Sequence, residues 1–435
     1  MSTAGHPASL DSVERSTPRV AVSLTTFAIV AAALLVYVSQ AFLVSEILGI
    51  KRELQAVLII PIALAACYYL VAQPGRLIDP LVGFSIVKLG TELALRGQWS
   101  YILDSLASAF ALVVLASAPA RSFEIGVKFL VRFAGILALM ALVQWVMLIQ
   151  DPTLAKFVIE VSDDGAMLNT IENPIAILAL HGNADYTLLG HPVVRMQSFA
   201  KEPSLNVLYF VLPACLAFLR NARWARVWGC VMLAYSIFSL SGSVFLALGF
   251  SAVWWALLHV SSIKFAVPWG MLLFMAVFLS AVKYFGLEPL MDAFTYIAQY
   301  GDYLNKGASL TDRTGGAVLN MGAALASPFG SSTLSDIPGP WLINSALAAG
   351  WLGVLFLIWF LSRLGQQLDT YYSNSPKVSW RALGSLGLLG AIAMVVVFND
   401  YQMGNYAGLI LLGFIYRTIQ MRNQRDEAVH RRISA

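Results

Sequence analysis

About a dozen stretches of mostly apolar residues recur along this chain, each of roughly the 17 to 25 residues a helix needs to cross the hydrocarbon core of a bilayer. They lie near 20–44, 54–73, 77–95, 100–118, 129–149, 203–219, 225–241, 243–259, 264–285, 341–361, 382–398 and 405–420. Inside lipid no water is available for backbone N–H and C=O groups, so runs of this kind have one workable form, the α-helix. The rest of the chain agrees. Hydrophobic residues make up 58% of it and charged residues 12%, with a mean hydropathy of +0.72, which excludes an ordinary soluble domain. The expected fold is an all-α polytopic membrane protein of about 12 transmembrane helices. The run 77–95 is the weakest, because Asp79, Lys88 and Glu92 interrupt it; Lys88 and Glu92 stand four apart, a spacing that lets them pair on one helical face. Cys67, Cys215 and Cys230 fall inside apolar runs without disulfide or metal spacing and read as small core residues.

The spans divide the chain. A polar tail, 1–19, ends in Arg15 and Arg19, and the apolar run after it is too long for a signal-peptide core, so it reads as a retained first helix. Five spans fill 20–149, a long loop covers 150–202, four spans fill 203–285, a second long loop covers 286–340, three spans fill 341–420, and a tail occupies 421–435. With the N-terminus cytoplasmic, an even count returns the C-terminus to the same side. Arg121, Arg220, Arg223, Arg226, Arg381 and Arg422 then all lie inside, while the short outer connections hold only a few cations such as Lys51, Arg52 and Arg96. That is the positive-inside pattern. Both long loops therefore face outward, and their apolar segments, Pro174–Leu180 and the helically spaced Leu290, Phe294, Ile297 and Leu304, suggest interfacial or re-entrant pieces packed on the bundle. No inverted repeat relates the halves, which weakens a secondary-transporter reading. The modest net charge of +4 follows this orientation and gives no support for nucleic-acid binding.

Chemistry is expected in the two outer loops. Arg195 and Arg313 lead, because a guanidinium holds a phosphate through bidentate, permanently charged contacts; the competing reading is a side chain that snorkels to lipid headgroups. Glu202 directly precedes Pro203, a favoured first helical residue, and a carboxylate there suits the positive end of the helix dipole. A helix cap and a general base both fit it. Lys201 adjoins it, and His181 and His191 ionise near neutral pH. Asp163-Asp164-Gly165 and the histidines lack metal-ligand spacing, and no glycine-rich phosphate loop is present, so no metal and no cofactor is expected. Trp99, Trp224, Trp341 and Tyr401 sit near span ends and read as an interfacial aromatic belt.

Arg195-x-x-Ser198-Phe199-x-x-Glu202-Pro203-Ser204, closing a long outer loop after five spans, resembles the Arg-x-x-Gly-Phe-x-x-Glu-Pro-Ser pattern of bacterial O-antigen and exopolysaccharide polymerases, with Ser198 in place of the glycine. Downstream, Arg313, Ser327-Pro328-Phe329-Gly330, Asn344 and Gly350-Trp351-Leu352-Gly353 are similar to that family's later signature, in which an outer-loop arginine precedes a Pro-x-Gly turn and a Gly-x-x-Gly helix. The resemblance covers most of the chain in topology and about forty positions in motif. It implies a GT-C-like architecture in the bacterial inner membrane and a periplasm-facing glycosyl transfer with undecaprenyl-diphosphate-linked oligosaccharides as substrates. It further implies Arg195 and Arg313 on the diphosphate, Glu202 as base, and Lys201, His181, His191 and Asn344 in substrate binding. The partners implied are the lipid bilayer, a chain-length regulator of the polysaccharide co-polymerase type and export machinery.

Three alternatives stay open, one of them a non-catalytic scaffold for envelope assembly, in which the outer arginines would be mutable at little cost. O-antigen ligases share the architecture and transfer the glycan to a lipid A core; they usually carry a histidine in the second long loop, where this chain has none between His259 and His430. A multi-pass transporter would line a path with intramembrane charges, for which Asp79, Lys88, Glu92 and Asp104 are the candidates.

Overall fold

A computed structural model describes residues 19–38, 50–72, 79–150, 157–161, 167–171, 182–183, 187–188, 191–192, 195–196, 205–260, 323–324, 326–332, 341–373, 379–398 and 405–434. Helices dominate these residues. They are α1 (Arg19–Val38), α2 (Lys51–Ala72), α3 (Pro80–Thr91, continued by a π-helical turn Glu92–Arg96), α4 (Trp99–Ser117), α5 (Ala120–Gln150), α6 (Leu212–Arg220, preceded by a π-helical turn Val207–Val211), α7 (Arg223–Phe238), α8 (Gly242–Val260), α9 (Trp341–Ser373), α10 (Trp380–Phe398) and α11 (Tyr406–Ser434).

Three of them, α2, α5 over Ala120–Val143, and α9, are long and apolar enough to cross a membrane; α7 and α8, bent by 120° at their junction, make a fourth if they form one broken span. Four more apolar helical segments of 10–17 residues lie in α1, α4, α6 with its π turn, and α10. The chain is thus a helical protein with several helices suited to a bilayer. Eleven of the twelve apolar runs fall on these helices, and the run 264–285 lies outside the described residues. Three helices overrun their apolar stretches: α5 starts at Ala120, α9 reaches Ser373 and α11 reaches Ser434. In each the added turns are polar, and helix geometry continues past the hydrophobic stretch because its hydrogen bonds are internal to the segment.

Packing defines two ends. At one, cations meet aromatic rings and polar caps: the Arg132 and Arg220 guanidinium carbons each lie 5.3 Å from the Trp224 ring centre, Arg220 pairs with Glu124 at 3.4 Å, Arg381 pairs with Asp426 at 3.1 Å, and Arg422 donates to the Arg220 carbonyl at 3.2 Å. The Asn423 amide donates to Gln367 Oε1 at 2.7 Å, tying α11 to α9. At the opposite end, Gln55 near the start of α2 donates to the Tyr406 hydroxyl at the start of α11. Between the ends, α5 and α7 run in the same direction: Trp228 packs where Gly135 lacks a side chain, and ten residues further along both helices Trp145 stacks on Phe238 with ring centres 5.1 Å apart.

Helix α10 is fitted by a glycine seam. A Cβ on Gly384 would stand 2.9 Å from Leu219 N, one on Gly387 would stand 2.9 Å from Cys215 Sγ, and one on Gly390 would collide with Ser251 and Ala247 of α8. Small residues at this spacing let backbones approach closely, which is how helices associate where lipid removes the hydrophobic drive between them.

Some expectations need correction. The first long loop also holds short strand pairs that were not expected: Phe157–Val161 (β1) pairs antiparallel with Met167–Ile171 (β2), Gly182–Asn183 (β3) with Arg195–Met196 (β6), and Thr187–Leu188 (β4) with His191–Pro192 (β5). The β-branched stretch Phe-Val-Ile-Glu-Val suits a strand better than a helix. Pro174–Leu180 and the Leu290 to Leu304 set lie outside the described residues, as do Asp163, Asp164 and Tyr401. Trp341 is fully buried, so it belongs to the core and not to an aromatic belt. Cys67 and Cys230 are exposed, and only Cys215 is a core residue.

Candidate functional site

The irregular backbone converges where α3, α9 and the turn at 327–331 meet. Asp79 and Pro80 start α3: the Asp79 carboxylate accepts from Leu81 N at 2.9 Å and from Val82 N at 3.4 Å, a standard N-cap. A residue read as a candidate for an intramembrane path is therefore a helix cap. At the other end, the π turn stops at Gly97, whose φ of 63° puts it in the left-handed region, and this leaves Arg96 in the last helical position.

Helix α9 is broken at Gly350, where φ is 64° and ψ is −176°, a conformation essentially restricted to glycine. The break is filled by the turn Ser327-Pro328-Phe329-Gly330. Trp351 N donates to the Pro328 carbonyl at 3.0 Å, and Ser331 N donates to the Leu347 carbonyl at 2.8 Å. Contact is close enough that a Cβ on Gly350 would lie 2.7 Å from Pro328 O, and one on Gly330, itself at φ 100°, would lie 2.7 Å from Thr91.

Arg96 closes the junction. Its Nη2 donates to Leu347 O at 2.8 Å and its Nε to Ser331 O at 3.0 Å, while Nη1 forms an ion pair with Glu92. Both side chains are buried, at 2% and 1% exposure. The second carboxylate oxygen of Glu92 has no hydrogen-bond partner among the described residues. Nearby on α4, Asp104 lies in the field of Lys88, Lys51, Glu92 and Arg52. With three of its five N–H donors directed at two carbonyls and a carboxylate, Arg96 clamps backbone and acts as a positioning group.

Of the residues singled out from sequence, Ser327–Gly330 and Gly350–Gly353 come together here. Asn344 lies on the first segment of α9, half-buried, before the break. Arg195 lies on β6, where its backbone pairs opposite Asn183, and His191 lies on β5 opposite Leu188. These two pairs nest, with β4–β5 inside β3–β6 and registers offset by one residue. His181, Lys201, Glu202 and Arg313 lie outside the described residues. So does the start of the helix expected at Pro203; its first described residue is Leu205, and the π turn Val207–Val211 follows at once. Asn206, fully buried, has neither amide atom hydrogen-bonded among the described residues, and the same holds for the Trp341 indole N–H and the Ser345 hydroxyl. Among the described residues no three His, Cys, Asp or Glu side chains gather closely enough to hold a metal.

Sequence reasoning missed Arg96 as a structural centre. The available signal was its position four residues after Glu92 and just before Gly97. Lys88 offered the same spacing on the other side, so spacing alone did not choose between them.

Compared with protein-family models, with curated proteins and with solved structures, the chain matches none of them.

Proposed function

We propose that this protein polymerises undecaprenyl-diphosphate-linked oligosaccharide repeat units into O-antigen or exopolysaccharide, as a multi-pass glycosyltransferase of the bacterial inner membrane acting on the periplasmic face. The observation that supports this reading is the junction itself. The two separated halves of the downstream signature, Ser327–Gly330 and Gly350–Gly353, are joined by the Trp351–Pro328 hydrogen bond, as one working unit would require. The proposed topology has 12 spans with both termini inside. It is supported by the two ends of the bundle, since the guanidinium-rich end carries Arg132, Arg220, Arg381 and Arg422.

In the reaction, the acceptor sugar hydroxyl of one lipid-linked repeat attacks the anomeric carbon of another. The new glycosidic bond forms as the bond to the diphosphate breaks, the lipid diphosphate leaves, and the hydroxyl proton passes to the Glu202 carboxylate. Negative charge develops on the leaving group, and preorganised arginines at a partly dry interface meet that demand without a metal; Arg195 and Arg313, one from each long loop, fill that role. Lys201, His181, His191 and Asn344 contribute to the sugar or phosphate contacts. Replacing Arg195 or Arg313 by Ala should abolish polymer while membrane-inserted protein persists; normal chain lengths in both variants would remove the diphosphate clamp. A ligase would instead transfer glycan to a lipid A core, which the acceptor in the product distinguishes.

A transporter is the second reading, favoured by the broken helix α9 beside the buried Glu92–Arg96 pair, a combination seen where helices are interrupted around a substrate. Solute uptake into vesicles is its test. Arg96 weighs against it, because its contacts are to backbone carbonyls and to Glu92.

A further inference from the structure

In an unbroken α-helix the N–H of residue 351 donates to the carbonyl of residue 347, four positions back. In α9 these two groups face the same docked segment and not each other. Trp351 N donates to Pro328 O at 3.0 Å, and Leu347 O accepts from Ser331 N at 2.8 Å and from Arg96 at 2.8 Å. Turn 327–331 has therefore inserted itself into one helical hydrogen bond, satisfying both groups that it separates. The helical N–H and carbonyl thus find a partner in either arrangement, two bonds to the turn when docked and one to each other when not, which is what two discrete arrangements in a packed bundle require.

We propose that α9 is a two-state element. In the docked state the helix is broken at Gly350 and the 327–331 turn is clasped by Arg96. In the released state the turn withdraws, Trp351 N closes onto Leu347 O, and the helix runs straight through residue 350. Gly350 is the pivot, since it alone serves both states: its docked φ of 64° excludes side chains, whereas any residue accepts the helical value. Arg96 is the latch, because two of its donors act on Leu347 O and Ser331 O and a released turn removes one of those acceptors. The 327–331 turn lies within the 286–340 segment, so the state of α9 sets where this turn sits. The switch stands on the geometry of the junction alone, and failure of a polymer-synthesis assay leaves it untouched.

The test uses the full chain in lipid nanodiscs with Cys67 and Cys230 replaced by Ala, Cys215 being buried. Spin labels go on Phe329→Cys and Leu355→Cys, positions 84% and 62% exposed, and electron–electron double resonance reads their separation. Gly350→Ala, which the broken backbone rejects, should replace the docked distance by a longer one. Ser331→Pro removes one docking donor outside the helices and keeps the protein testable if Gly350→Ala misfolds. It should raise the longer-distance population roughly fivefold, the ratio that one net hydrogen bond is worth. Amide exchange separates a straightened helix from a merely loosened turn: in Ser331→Pro the Trp351 amide should stay protected, because Leu347 O takes it over. A single docked distance in the folded variants, or rapid exchange at Trp351 on release, overturns the switch.

Discussion

Arg96 is the residue on which the junction depends. A guanidinium and a carboxylate at 2% and 1% exposure are costly to bury and costlier to separate, so removing one partner from such a pair destabilises a protein by about 3–5 kcal/mol. Arg96→Ala should show a loss of that size in thermal unfolding in detergent. Arg96→Met combined with Glu92→Gln removes both charges and should recover much of it. A double variant no more stable than Arg96→Ala would contradict the assignment of the cost to an uncompensated Glu92. Glu202 poses a different question, since capping and base catalysis both suit a carboxylate before Pro203. Glu202→Gln keeps hydrogen-bonding capacity but cannot take a proton at neutral pH. Unchanged polymer length in this variant assigns a cap, and loss of polymer with normal protein level assigns the base. How far residues were legible in sequence depended on how local their partners were. Asp79 before Pro80 is a cap that its own neighbours explain, although its place in an apolar run suggested a path. Glu92 had basic neighbours at both i−4 and i+4, and the choice of Arg96 was made by carbonyls at Ser331 and Leu347, over two hundred positions away.

At the scale of elements, apolar length carried most of the information, and what it could not carry was interruption. The run 341–361 gives no warning that α9 breaks at Gly350, because a glycine within an apolar helix is equally at home in a straight one; only the docked Pro328 carbonyl requires a positive φ there. Likewise the run of α10 reads as one apolar stretch, yet its function in packing lies in Gly384, Gly387 and Gly390, each facing backbone or a small side chain of a neighbour. Gly390→Val should force α8 away from α10, with an overpacking cost of about 1–3 kcal/mol. Helix-to-helix cysteine cross-linking between α8 and α10 should fall in parallel. Undiminished cross-linking would mean that the seam does not set their distance. The strands of the first long loop were not foreseen, since segments of two to five residues carry too little periodicity to separate from loop.

For the whole molecule, the proposed arrangement places the guanidinium-rich end in the cytoplasm and the Gln55, Arg96 and Tyr406 end toward the periplasm, where the two long loops open. Single cysteines introduced at exposed Arg223 and Trp99 should therefore react with a membrane-impermeant thiol reagent from opposite sides of sealed vesicles; labelling from the same side would contradict the topology and with it the periplasmic site. The membrane class was written in composition and run length alone, whereas the reaction rests on a motif resemblance whose charged residues mostly fall in the two loops. The most direct measurement is elongation by the purified protein. Reconstituted in lipid with the proposed substrate, an undecaprenyl-diphosphate-linked repeat, and a chelator, it should lengthen that repeat into a ladder of products, and Arg195→Ala should not. Native repeat units left unextended by well-inserted wild-type protein would contradict the proposed activity.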